Sequence, residues 1–250
     1  MSSTTMAVVP ADENEFIMTD EERTLLGLDE FDQSDMIIPR VRLAQPTSQL
    51  GDASPGQFHN NLTGEAADAV TFIVIRSVKG RVLWPEGFER GQKPTCASDD
   101  SKKPREGGQY PGPCAECPAA QWGENHEAPA CTLHYNYLAV DTASGLPFMA
   151  SMARMSAKTA KQIITLLQTW GPSHALTATS EKVKTDKGTW YEWRIRDGGK
   201  VANPRQYFGI ARSFSGRAVT VDTGEDEPGL VDTARALGGI EMEGREEIPF

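Results

Sequence analysis

The chain has 250 residues and a mean hydropathy of −0.45, which suits one elaborated domain with tails and a modest core. It has no apolar run of the roughly 18 residues a membrane helix needs, and residues 1–6 lack the basic and apolar regions of a secretory signal, so a cytoplasmic protein is expected. The net charge of −10 argues against a polyanionic partner only until its distribution is read. Residues 1–35 hold ten acids and one Arg, and residues 218–250 hold nine acids and two Arg. The centre, 36–217, holds 22 Lys/Arg against 16 Asp/Glu. A basic body of net +6 thus lies between acidic ends, and the chain divides into three: an acidic segment 1–35, a body 36–217 and an acidic tail 218–250.

In the first segment, Thr19-Asp20-Glu21-Glu22 can open a short helix with Thr19 or Asp20 as N-cap; otherwise disorder is expected there. Ile37-Ile38-Pro39-Arg40-Val41-Arg42-Leu43 reads as extended chain with basic residues alternating with apolar ones. Turns follow at Pro55-Gly56 and Thr63-Gly64. Residues 70–78, Val-Thr-Phe-Ile-Val-Ile-Arg-Ser-Val, are the clearest strand, apolar enough for both faces to be covered. Lys79-Gly80 interrupts it, and Arg81-Val82-Leu83-Trp84 continues extended.

An insertion over about residues 85–132 carries all four cysteines, Cys96, Cys114, Cys117 and Cys131, in a segment rich in Pro, Gly, Lys and Asp. Such a segment cannot bury a core of its own. Four thiolates on one structural Zn²⁺ would give it a centre, and Cys114-Ala115-Glu116-Cys117 is the short turn that points two sulfurs at one ion. An iron–sulfur cluster, two disulfides or four unliganded thiols are the other readings, and His126 or His134 could replace one ligand.

Regular chain returns with a hairpin, residues 133–140 and 146–152, turned at 141–145. A helix over 156–170 follows, with Ser156 as N-cap, Ala160, Ile163, Ile164 and Leu167 on its apolar face, and Gly171-Pro172 as its end. Residues 176–184 and 189–196 form a second hairpin, and 204–214 a further helix. Strands, hairpin, helix, hairpin is the order of an OB-fold, so the expected class is mainly β with one main helix (α+β), an OB-fold-like barrel with a zinc-binding insertion and disordered acidic termini.

Single-strand binders need cations for phosphates and flat rings for unpaired bases. The body interleaves both, and the candidates for DNA contact are Arg40, Arg42, Arg76, Lys79, Arg81, Trp84, Tyr135, Tyr137, Trp190, Arg194 and Arg196. Aromatics on strands are more often core. No phosphate-cradling Gly motif, nucleophile elbow or paired-carboxylate motif is present, so no catalytic residues are expected. His59-Asn60 resembles only a fragment of an HNH nuclease motif.

The chain closes with Glu246-Glu247-Ile248-Pro249-Phe250. This resembles the tail of bacterial single-stranded-DNA-binding proteins, an acidic stretch ending Asp-Asp-Ile-Pro-Phe. The resemblance implies that Glu246, Glu247, Ile248, Pro249 and Phe250 dock on replication, recombination or repair proteins. The body resembles phage-encoded single-strand-binding proteins, with an insertion similar in idea to the one in the large subunit of replication protein A, though the cysteine spacings differ. The expected function is non-specific coating of single-stranded DNA during phage replication, recombination and repair, in the host cytoplasm, with no membrane partner and with homo-oligomers open. A zinc- or cluster-containing nuclease and a zinc-ribbon protein–protein adaptor are the alternatives.

Overall fold

The computed structural model describes residues 19–31, 37–48, 50–86, 93–124, 126–186, 188–214 and 220–221. Most of the 218–250 tail, including Glu246, Glu247, Ile248, Pro249 and Phe250, lies outside the described residues, as do residues 1–18 and 32–36.

Thr19 opens helix α1 (Asp20–Leu25) through a capping box: its hydroxyl accepts from the Glu22 N–H at 3.3 Å while the Glu22 carboxylate accepts from the Thr19 N–H at 2.7 Å. The strands are β1 (Ile37–Ile38), β2 (Val41–Leu43), β3 (Phe58–Asn60), β4 (Ala66–Ala67), β5 (Ala69–Leu83) and β6 (Cys96–Ser98). After the rest of the cysteine lobe come β7 (Thr132–Asp141) and β8 (Pro147–Ala153), then helix α2 (Ala157–Trp170). The chain continues through β9 (His174–Thr185), β10 (Gly188–Lys200), helix α3 (Pro204–Ser213) and β11 (Thr220–Val221), which pairs parallel with β1. The protein is mainly β with α-helices, and among the described residues no helix is long and apolar enough to cross a membrane.

The main sheet runs β10-β9-β5-β7-β8, all antiparallel, with β6 paired to the far end of β5. Its centre is the 15-residue β5, whose β-branched run suits a strand covered on both faces. One face packs Phe72 and Val74 against Tyr137, Phe148 and Ile163 of α2, and the other carries Ile75 and Val78 toward Ile38, Leu138 and Phe214. A bulge at Ile75 shifts the register between Val74 and Arg76. Among the described residues β8 and β10, the ends of this path, are not hydrogen-bonded to each other, so the sheet is not a closed barrel.

The gap between them is spanned by the segment around β2. The Met149 N–H donates to the Pro39 carbonyl at 2.8 Å on the β8 side. On the β10 side, the Gln45 amide accepts from the Tyr191 N–H (2.9 Å) and donates to the Tyr191 carbonyl (3.0 Å). A single side chain thus reproduces a strand's paired bonds. The β2-β3-β4 meander feeds Val41, Leu43 and Phe58 into the core. Gly56 (φ +97°) lies against the Tyr191 ring, where a Cβ would fall 2.5 Å from a ring carbon, so no other residue fits without displacing that ring.

Helix α2 buries Thr159, Ala160 and Ile163, as its spacing requires, and stops at Gly171 (φ +56°). Ser156 does not cap it. A 3₁₀ turn, Arg154–Ser156, runs straight into the helix, leaving Ser156 in a near-helical conformation without a side-chain capping bond.

Candidate nucleic-acid interface and cysteine centre

Strand pairing, not sequence proximity, assembles the cysteines. In the β5–β6 ladder Cys96 lies opposite Leu83, and in the β5–β7 ladder Thr132 lies opposite Val82, so Cys131 arrives on the other side of Leu83. Cys114 and Cys117 come over this row on a turn anchored by the Cys114 N–H donating to the Lys102 carbonyl at 2.8 Å. The Pro118–Ala120 3₁₀ turn then ties back, with the Cys131 N–H donating to the Ala119 carbonyl at 2.8 Å.

All four side chains line one cavity of about 10 Å³, together with Arg81, Tyr110 and Ala120. The thiols are free of disulfides. Burial pushes the Cys131 thiol up to about 11, with Cys117, Cys96 and Cys114 adding to the rise and Arg81 opposing it. Among the described residues no group of three or more His, Cys, Asp or Glu stands in metal-holding geometry. These four cysteines are nevertheless the residues that could hold a metal; His134 lies on β7, outside the cavity lining.

The basic and aromatic candidates divide among several surfaces. Lys79 and Arg81 follow the core on one face of β5; Lys79 is exposed, its ammonium 5.8 Å above the Tyr135 ring. Arg81 lines the cysteine cavity, and its Nε is buried without a hydrogen-bond partner among the described residues. Trp84 is half-buried at the entrance to the lobe. Arg76 sits on the opposite face of β5, donating to the Phe214 carbonyl at 3.1 Å; burial lowers its pKa. Arg40 is buried and Arg42 half-buried along a crevice of about 140 Å³ shared with Gln45, Ser48 and Ser151.

Tyr135 (5% exposed) and Tyr137 (1%) belong to the core, and the Tyr137 hydroxyl donates to the Ala160 carbonyl at 2.7 Å. Neither presents a ring for stacking. On β10 the alternation holds: Trp193 and Ile195 face the core, while Trp190, Glu192, Arg194 and Arg196 face out. Arg194 is engaged by Glu181 across the hairpin and by Glu192 at 2.9 Å, contacts that raise its pKa, so its charge is largely matched within the protein. Arg196 is exposed.

Two residues on these surfaces were not singled out from the sequence. Trp122, in the cysteine lobe, is 68% exposed, and its signal is an aromatic placed in a segment with no core to fill. Arg154 stands at the lobe end of β8 with φ +47°, an uncommon conformation for Arg, and its guanidinium donates to the Thr132 hydroxyl at 3.2 Å.

His59, on β3, is a buried residue. It is 8% exposed, packed against Gly51, and its Nδ1 has no hydrogen-bond partner among the described residues. Burial, then Arg42, holds its pKa below the ordinary histidine value. The unfolded chain therefore takes up the proton first, so stability is full above about pH 6.5 and falls as pH drops through the lowered native value. Urea unfolding at stepped pH should show this limb and should show it flattened in His59→Gln. An identical limb in the variant would place the effect elsewhere.

A family model described as Pam3 phage gp34-like protein matches residues 5–220, a span that includes all four cysteines and strands β1 to β10 but stops before most of the acidic tail. No curated protein and no solved structure matches the chain. With that match covering most of its length, the chain belongs to the Pam3 phage gp34-like protein family, named for a phage protein.

Proposed function

We propose that this protein binds single-stranded DNA with little sequence preference, as a coating and recruiting protein rather than an enzyme. The strand path carries the reading. Counting β5, β7, β8, β9 and β10 as first to fifth, the path is fifth-fourth-first-second-third, with a helix between third and fourth. That is the order of a partly open OB-type barrel, the finer class to which we assign the sheet. Such barrels hold oligonucleotides on their second and third strands and through the connections joining first to second and fourth to fifth. Here the former connection is the cysteine lobe and the latter is the β9–β10 turn.

The side chains suited to the task are Lys79, Arg154 and Trp84 near the lobe, Trp122 on it, and Trp190 and Arg196 on the outer face of β10. Ile38, Phe214 and α3 cover part of the outer face of β7 and β8, which moves the expected contacts toward the lobe. The net +6 of residues 36–217 supplies the electrostatic term. The tail, ending Ile248-Pro249-Phe250, would recruit replication, recombination or repair proteins, a role supported by its sequence. The test is a fluorescence-anisotropy titration of labelled oligo-dT, challenged with duplex DNA and with RNA. Preferential single-strand binding supports the reading; equal or stronger duplex binding, or none, rejects it.

A further inference from the structure

The structure assigns a metal site with a charge-balancing partner: we propose that Cys96, Cys114, Cys117 and Cys131 hold one zinc ion, and that Arg81 is the positioning residue that compensates its charge. This goes beyond the DNA-binding reading and does not depend on it.

Three observations carry the site. First, cysteines from three places in the chain converge through independent backbone devices: the β5–β6 ladder for Cys96, the β5–β7 ladder for Cys131, and an anchored turn for Cys114 and Cys117. Second, they share one cavity of about 10 Å³, roughly the space of a single water-sized sphere. That volume suits one ion better than the cube of a [4Fe–4S] cluster, which favours a mononuclear centre. All-thiolate tetrahedral coordination by a single ion is the zinc arrangement. Third, the lobe has little else to hold it. Its own apolar cluster is Leu83 and Ala120 beside the cysteines, with Tyr110 and Ala119 partly buried.

Arg81 follows from charge. Four thiols must give up four protons to bind one Zn²⁺, leaving a centre of net −2 in a mostly buried site. Arg81 lines that cavity and faces the same side of β5 as Leu83, with an Nε–H that is buried and unpartnered among the described residues. A guanidinium beside the thiolates halves the net charge, and its idle donor finds a sulfur acceptor. Among the described residues no oxygen acceptor meets that donor. Gly108 must stay small beside the site, since a Cβ there would lie 3.0 Å from the Cys96 sulfur.

The experiment uses the full chain. Elemental analysis of the purified protein should give one zinc per chain, and Co²⁺ substitution should give the intense visible bands of tetrahedral thiolate coordination. Cys114→Ser should lose both, with thermal unfolding of the main sheet retained. Arg81→Met should weaken zinc about 10–100-fold in chelator competition while leaving the Co²⁺ bands tetrahedral, and Arg81→Lys should restore much of the affinity. A protein with neither stoichiometric zinc nor tetrahedral Co²⁺ bands overturns the site, and stoichiometric iron overturns the ion's identity. An Arg81→Met protein with unchanged zinc affinity overturns the role of Arg81. Zinc held by a protein that ignores DNA would reject the function above and leave this site standing.

Discussion

Trp193→Ala is expected to remove about 3–5 kcal/mol of stability, the usual cost of truncating a buried Trp, out of a total on the order of 5–15 kcal/mol. Trp193 is 5% exposed and lies where three parts of the fold meet. Its ring sits 4.7 Å from that of Phe58 at 60°, joining β10 to the β2-β3-β4 meander. Its carbonyl accepts from the buried Thr159 hydroxyl of α2 at 3.0 Å. Removing the ring leaves a cavity that the helix and the small sheet cannot both close over. Urea unfolding should show a lower midpoint with one transition and little change in slope. Trp190→Ala, three residues away on the outward face, should cost far less. Equal losses for the two, or a Trp193→Ala midpoint like wild type, would mean the meander is fastened elsewhere.

Trp122→Ala should act on binding instead of stability. If the exposed ring stacks on a base, its loss costs about 1–3 kcal/mol, or roughly 5–150-fold in affinity for oligo-dT. Because no charge is removed, the salt dependence should keep its slope. Lys79→Ala should do the reverse, flattening the slope by about 0.7 for one phosphate contact. Anisotropy titrations across a salt series separate the two signatures. A Trp122→Ala protein with unchanged affinity would remove the lobe's aromatic from the interface.

Much of this fold was legible in the chain because each hairpin carries its own turn chemistry. Asp141 illustrates it, accepting from the Ala143 and Ser144 N–H groups at 2.7 and 2.9 Å to close the β7–β8 turn ahead of Gly145. The α2 face and its Gly171 stop, the Thr19 cap and the alternation of Trp190 through Arg196 likewise follow from local periodicity. What escaped the sequence depends on partners far along the chain. Tyr135 and Tyr137 share a face with no local mark of burial; only α2, arriving 20 residues later, turns that face into core. Arg194 reads as a free cation until the β9–β10 register brings Glu181 beside it. The Gln45 bridge to Tyr191 spans 146 positions and has no periodic signal at all. The cysteines were legible as a set, whereas Arg81 beside them needed the β5 register.

Whether this protein coats single strands is decided by the affinity of the full chain for single-stranded oligo-dT, followed from low to high salt with matched duplex as competitor. Each phosphate contact through the basic body should contribute about −0.7 to the log–log slope, so several contacts give a steep fall, and duplex should compete poorly. Salt-independent binding, or duplex displacing the single strand at equal concentration, would contradict single-strand coating.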